Sequence, residues 1–229
     1  MFQYVLFDLD GTLTDPKEGI TKSVQYALKA FGVEEENLDK LECFIGPPLR
    51  DSFMEFYHFD EQQAREAITV YRQRFEKTGL FENKPYEGIE EVLKACKDEG
   101  MLLAVASSKP YVFVRRILEH FGLMDYFDAV AGAELDGTRE KKEEVIEESL
   151  RQLEELVTGK GNTVLSQIFN YHNCCMVGDR KFDVEGGKRY QLYTMAVGYG
   201  YADENELETA GADRIVNSVK ELKEALLAG

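Results

Sequence analysis

Tyr4-Val5-Leu6-Phe7-Asp8-Leu9-Asp10-Gly11-Thr12-Leu13-Thr14-Asp15 sets the fold class expected of this 229-residue chain. A short apolar run from Tyr4 to Asp8 that ends in acids reads as a parallel strand buried on both faces of a sheet. Asp8 and Asp10 lie two residues apart and would share one face if the strand simply continued. Gly11 lets the chain turn sharply instead, so that one carboxylate can sit on each side of a reacting group. Two carboxylates this close repel unless a cation lies between them. Mg²⁺ binds through oxygen and keeps several waters, which suits an open site of this kind. The competing reading is an acidic loop whose side chains only satisfy backbone groups.

Beyond Asp15 the hydrophobic period changes. Helical spacing runs through Ile20, Val24, Ala27, Leu28 and Phe31, and again through Phe53, Phe56 and Tyr57. It recurs at Ala64, Ala67, Ile68, Tyr71 and Phe75, with no convincing strand between Pro16 and about Lys84. Residues 16–84 are therefore expected to be an all-helical insertion. After Pro85 strand and helix alternate. Ile89, Val92, Leu93 and Cys96 make a helix face stopped by Gly100, and Met101–Ala106 reads as a buried strand. Val114, Ile117, Leu118 and Phe121 form the next helix, Ala129–Ala131 a short strand, and Thr138 to about Val157 a charged helix. Cys174–Val177, Thr194–Val197 and Arg214–Val216 complete the strands.

This alternation predicts an α/β fold, a doubly wound parallel sheet of Rossmann-like type built from residues 1–15 and 85–229. Ligands of such sheets bind beyond the carboxyl ends of the strands, which gathers Asp8, Ser107 and Asp179 around one site. Thr158–Asn173 is long for a helix-to-strand connection, and its apolar stretch Val164–Phe169 reads as one extra surface helix. Its Gly-Lys-Gly-Asn-Thr segment lacks the spacing of a phosphate-binding P-loop.

A formal charge of −16 argues against nucleic acid and against an anionic membrane surface as partners. An anionic substrate would have to be held by a few local cations working against the global field. The first apolar run carries acids and no basic leader, and no stretch reaches the roughly 20 apolar residues of a membrane span. Cys43, Cys96, Cys174 and Cys175 show no Cys-x-x-Cys spacing and read as reduced thiols of a cytoplasmic protein. His58, His120 and His172 are scattered and are not spaced as a metal site.

Three later segments carry chemistry beside the first. Leu102-Leu103-Ala104-Val105-Ala106-Ser107 is followed by Ser108-Lys109-Pro110; Asp136-Gly137-Thr138-Arg139-Glu140-Lys141-Lys142 opens the charged helix; Met176-Val177-Gly178-Asp179-Arg180-Lys181-Phe182-Asp183 ends the fourth core strand. Each has an ordinary reading on its own: a cap, a solvated helix face, an N-cap with an exposed acid one turn on. In this order, and with Asp8–Asp15 matching DxDGTLxD throughout, the chain resembles the haloacid dehalogenase-like hydrolases, within the phosphoglycolate phosphatase-like branch.

The resemblance covers the whole chain and implies a phosphatase acting on a small phosphorylated metabolite with Mg²⁺. Asp8 would be the nucleophile that forms an aspartyl-phosphate and also a metal ligand, and Asp10 the general acid and base, its main-chain carbonyl also meeting the metal. Ser107 and Ser108, with Gly11 and Thr12, would bind phosphate. Lys142 is the favoured phosphate lysine; Lys141, Lys109 and Arg139 compete for that role. Asp179 would be a metal ligand, and Asp183, one helical turn later, would hold a metal-bound water. The insertion would be a cap, with Gly46, Arg50 and Lys109 near the substrate. The lysine segment lacks the KPxP form common in that branch, which leaves a 5′-nucleotidase, a sugar-phosphate phosphatase or a phosphomutase as alternatives. A phosphorylated switch without turnover is the non-enzymatic one. A monomer and a homodimer are both compatible with the sequence.

Overall fold

The computed structural model describes residues 2–159 and 169–228. Its main sheet has six parallel strands: β1 (Tyr4–Phe7), β4 (Leu102–Pro110), β5 (Ala129–Ala133), β6 (Cys174–Gly178), β7 (Tyr193–Val197) and β8 (Arg214–Val216). Their order is β5-β4-β1-β6-β7-β8, so β1 lies in the middle with β4 and β6 on its flanks. A strand in that position has no solvent face, which is why Val5, Leu6 and Phe7 are fully buried. Helices α4 (Ile89–Asp98), α5 (Tyr111–His120), α6 (Lys142–Thr158), α7 (Lys181–Arg189), α8 (Glu206–Ala210) and α9 (Val219–Ala228) connect and cover the strands. The predicted α/β, Rossmann-like class is the observed one.

Between β1 and α4 the chain forms α1 (Lys17–Ala30), a 3-10 turn (Leu38–Phe44), α2 (Leu49–Tyr57), α3 (Glu61–Arg74) and a π-helical turn (Phe75–Gly79). This helical segment leaves and rejoins the sheet through a short antiparallel ribbon, β2 (Thr14–Asp15) against β3 (Lys84–Pro85). Sequence periodicity misses the ribbon because two residues are too few to show alternation. The apolar side chains of the helical segment, Phe44 and Phe75 among them, belong to the same continuous core as Val5, Phe113 and Val177. Phe75 meets Phe113 of α5 edge-on, ring centroids 5.7 Å apart, so the helical segment packs on α5 through an aromatic contact.

The expected helix at Thr138 starts instead at Lys142. Asp136 accepts a hydrogen bond from the Thr138 N–H at 2.9 Å, Gly137 has φ +94° and Arg139 φ +63°. These local turns spend the residues that a helix would have used. Part of the predicted Val164–Phe169 helix falls at 160–168, outside the described residues. Phe169 itself is buried, its ring 4.4 Å from that of Tyr4. No helix among the described residues is long and apolar enough to cross a membrane.

Candidate active site

Asp8 leaves the sheet with its N–H still donating to the Val177 carbonyl at 2.9 Å. That bond carries the ladder one residue past β1 and fixes the carboxylate at the strand's carboxyl end. Leu9 then turns the chain, its carbonyl accepting from the N–H groups of Leu13 and Thr14 at 2.9 and 3.0 Å. Gly11 sits in this turn at φ +79°, and a Cβ there would lie 2.1 Å from Asp179 Oδ2. Only glycine permits both that backbone angle and that approach. Asp8 and Asp10 are both buried, at 4% and 7% exposure.

The other acids arrive from β6. Asp179 follows Gly178 and stands 1% exposed, and Asp183 is in the first turn of α7. Asp183 Oδ2 accepts from the Arg180 N–H at 3.0 Å, which turns its other oxygen toward the site. One carboxylate oxygen from each of Asp8, Asp179 and Asp183 lies within 4.8 Å of the others. Burial pushes the Asp179 carboxyl well above its usual range, with the like charges of Asp183 and Asp8 adding to it. Burial also raises Asp183, to about 6, against the opposing pull of Lys142.

Lys142, the first residue of α6, reaches into this cluster. Its ammonium is 2.8 Å from Asp8 Oδ1 and 2.9 Å from Asp183 Oδ1, and it donates to the Ala106 carbonyl at 3.1 Å. Burial alone would lower its pKa, but the carboxylates of Asp183 and Asp8 outweigh that and hold it above the ordinary lysine range. Lys141 is exposed. Arg139 pairs with Glu134 at the surface-facing end. Of the competing cations on this segment, the fold brings Lys142 alone against Asp8.

One lysine does not balance three acids. Asp8 Oδ1 and Asp183 Oδ1 are buried and, although ion-paired with Lys142, receive no hydrogen bond of good geometry among the described residues. Oxygen-rich, partly orphaned and electrostatically crowded, the cluster fits a hard divalent cation. Asp10 stands apart from it. Burial raises its carboxyl pKa, opposed by the nearby Lys109 ammonium, and Asp10 Oδ1 has no donor.

A cavity of about 100 Å³ separates these groups from the helical segment. Asp8, Asp10, Ser107, Ser108 and Lys109 line it from the sheet side, and Gly46, Arg50, Tyr71 and Phe75 from the other. Ser107 Oγ accepts from the Lys109 N–H at 3.3 Å, which holds the end of β4 over the site. Arg50 is paired with Asp51 at 3.1 Å and is 41% exposed in its side chain.

Three of the expected residues also make contacts that the sequence did not specify. The Gly11 N–H donates to the Thr14 carbonyl at 2.8 Å, and Thr12 Oγ1 points to Asp179 Oδ1 at 3.5 Å. The Gly11 N–H thus closes its own turn, and the Thr12 hydroxyl braces Asp179. Gly46, at φ +103°, would place a Cβ 3.0 Å from Arg180 Cγ, so its bareness accommodates that arginine as well as the cavity.

Arg180 was not legible as a site residue. Its guanidinium forks onto Glu206 at 2.9 and 3.1 Å and donates to the Ile45 carbonyl at 2.6 Å. The residue after Asp179 thus ties the helical segment to the acid cluster. The Tyr201 N–H, donating to Asp179 Oδ2 at 2.8 Å, is a second unforeseen brace. The signal for both was indirect: an arginine inside GDRKFD and the GYGYAD run after β7.

The family model of the haloacid dehalogenase-like hydrolases matches residues 5–197. A 5′-nucleotidase of Pseudomonas aeruginosa is 48% identical over 203 residues, covering 89% of this chain and 86% of that protein. The tyrosine-protein kinase PtkA of Mycobacterium tuberculosis is 34% identical over 226 residues, 98% of this chain and 72% of that one. A phosphoglycolate phosphatase of Aquifex aeolicus is 30% identical over 201 residues, 88% and 87% of the two chains. The crystal structure of a predicted phosphatase from Clostridium acetobutylicum superposes with a TM-score of 0.91 at 47% identity, with each chain covered completely. The chain belongs to the haloacid dehalogenase-like hydrolase family, as an enzyme of its phosphatase kind.

Proposed function

We propose that this enzyme hydrolyses the phosphomonoester of a small metabolite through an aspartyl-phosphate on Asp8, and that it does so with Mg²⁺. The observation that carries the reading is Lys142, whose ammonium meets Asp8 and Asp183 together in a buried acid cluster. A lysine there neutralises the nucleophile and the incoming phosphate without blocking the free Asp8 oxygen. Asp8, Asp179 and the Asp10 carbonyl would hold the metal, with Asp183 orienting one of its waters. When bound, Mg²⁺ supplies charge neutralisation at the transferring phosphoryl group. Ser107 and Ser108 offer hydroxyl and N–H donors where the phosphate oxygens would sit. Residues 16–84 act as a cap that excludes water and selects the leaving group.

Two leaving groups have support. The aromatic wall of Phe44, Tyr71, Phe75 and Phe113, together with the 48% identical 5′-nucleotidase, favours a nucleoside monophosphate. The small cavity of about 100 Å³ and the Arg50 cation that lines it suit a compact acid such as phosphoglycolate. A nucleoside would need the cap to part further.

The test is phosphate release from p-nitrophenyl phosphate, nucleoside 5′-monophosphates, 2-phosphoglycolate and hexose 1-phosphates. We expect turnover with Mg²⁺, its loss by roughly 100-fold or more in EDTA, and its return on adding Mg²⁺ back. The ester with the highest kcat/KM names the substrate class. Isomerisation of a hexose phosphate without free phosphate would make the enzyme a mutase, and no phosphate release from any ester would overturn the proposal.

A further inference from the structure

We propose that Lys109 is a positioning residue for Asp10, fixing which carboxyl oxygen carries the proton destined for the leaving group. The proposal rests on the reading of Asp10 as the general acid.

Lys109 is the third residue of the Ser-Ser-Lys-Pro segment (107–110) that ends β4, and its side chain is turned inward at 7% exposure. The ammonium lies 2.7 Å from Asp10 Oδ2, while Asp10 Oδ1, also buried, has no donor among the described residues. The two oxygens of Asp10 are thereby made unequal: one is occupied by a cation and the other is free. A proton is carried by the oxygen that is not ion-paired, so Oδ1 is the one that holds it.

The charge that appears next is also provided for. As the Asp8 oxygen forms its bond to phosphorus, the ester P–O bond breaks and the leaving oxygen takes the Asp10 proton. This gives the free alcohol and leaves Asp10 as a carboxylate beside the Lys109 ammonium. That carboxylate then takes a proton from the water that attacks the aspartyl-phosphate, which releases phosphate and restores Asp8.

The lysine is itself held by the cap. The Phe75 ring, from the π-helical turn of the cap segment, lies 4.8 Å from the Lys109 ammonium. A cation resting on a desolvated aromatic face is attracted to it. Buried Lys109 Nζ has no hydrogen bond of good geometry among the described residues, so Asp10 and Phe75 are what define its position. Lys142 already serves Asp8, which leaves the second lysine to the second carboxylate.

A dependence on leaving group separates this role from others. General-acid assistance is worth about 10²–10⁴-fold for an alkoxide and little for p-nitrophenolate, which departs without a proton. Lys109→Met is expected to lower kcat/KM on a neutral alkyl phosphate by about 100-fold and on p-nitrophenyl phosphate only a few-fold. Phe75→Leu should show the same selectivity in milder form, and Lys109→Arg, which keeps a cation beside Asp10, should recover part of the alkyl activity. These two variants carry the test should Lys109→Met fail to fold.

An equal loss on both esters would overturn the proposal. So would a rise in KM confined to 2-phosphoglycolate with kcat unchanged, because Lys109 would then be binding a substrate anion. If the unsubstituted enzyme with Mg²⁺ hydrolysed neither ester, the failure would lie in the phosphatase reading and would take this proposal with it.

Discussion

Asp8→Asn is expected to abolish turnover, lowering kcat by a factor on the order of 10⁴ or more, while the protein stays folded. Asparagine fills the same space, but its amide oxygen is too weak a nucleophile to displace an alkoxide from phosphorus. The fold should tolerate the change for an electrostatic reason. Asp8, Asp179 and Asp183 crowd together with Lys142 as the cation among them, and Lys142 still has Asp183 at 2.9 Å when Asp8 is neutral. Removing one charge from an over-acidic cluster relieves repulsion on Asp179, where that repulsion adds to the cost of burial. Thermal unfolding should therefore show an unchanged or higher Tm. Undiminished activity in this variant would sink the nucleophile assignment.

Lys142→Met is expected to damage both activity and stability. Here the cation disappears and Asp8 and Asp183 lose their ion pair inside the protein. Breaking a buried pair by removing one partner costs about 3–5 kcal/mol, because the remaining charge is left uncompensated. For a chain of this size each kcal/mol moves Tm by roughly 2–4 °C, so a fall of about 10 °C is expected. Mg²⁺ should restore part of the lost Tm, since binding to the folded state alone stabilises it by mass action. The neighbouring Lys141→Met is the control, and because Lys141 is exposed its Tm and kcat should stay close to those of the parent. A Lys142→Met enzyme with full activity and an unshifted Tm would show that the lysine is not needed at the acid cluster.

What could be read from the sequence follows from which interactions are local. The central sheet was legible because strands buried on both faces must be continuously apolar, as β1, β6 and residues 102–106 of β4 are. The acids were legible because they stand at strand ends, where the chain direction alone brings Asp8 and Asp179 to the same edge. Lys142 could be ranked above Lys141 only through a resemblance, since both belong to one charged helix start. The structure separates them by the turn at Asp136–Arg139, which begins α6 at Lys142 and turns that side chain inward.

The remainder depends on contacts distant in sequence. Arg180 reaches Ile45 across 135 positions, and the Tyr201 N–H caps Asp179 across 22. Nothing in the local pattern of GDRKFD says that its arginine turns toward the helical segment. Gly11 and Thr12 sit inside a motif whose overall meaning was clear, yet their own bonds go to Thr14 and Asp179. Motif membership located them without specifying what their donors would face.

The most direct measurement of the central claim uses Asp10→Asn with p-nitrophenyl phosphate. Its leaving group needs no proton, so Asp8 should still be phosphorylated, whereas the water that resolves the intermediate has lost its base. Acid quenching, proteolysis and mass spectrometry should find one phosphoryl group on the peptide that contains Asp8, formed with a burst of nitrophenol. A burst with no protein-bound phosphoryl group, or with that group on any residue other than Asp8, would contradict the mechanism.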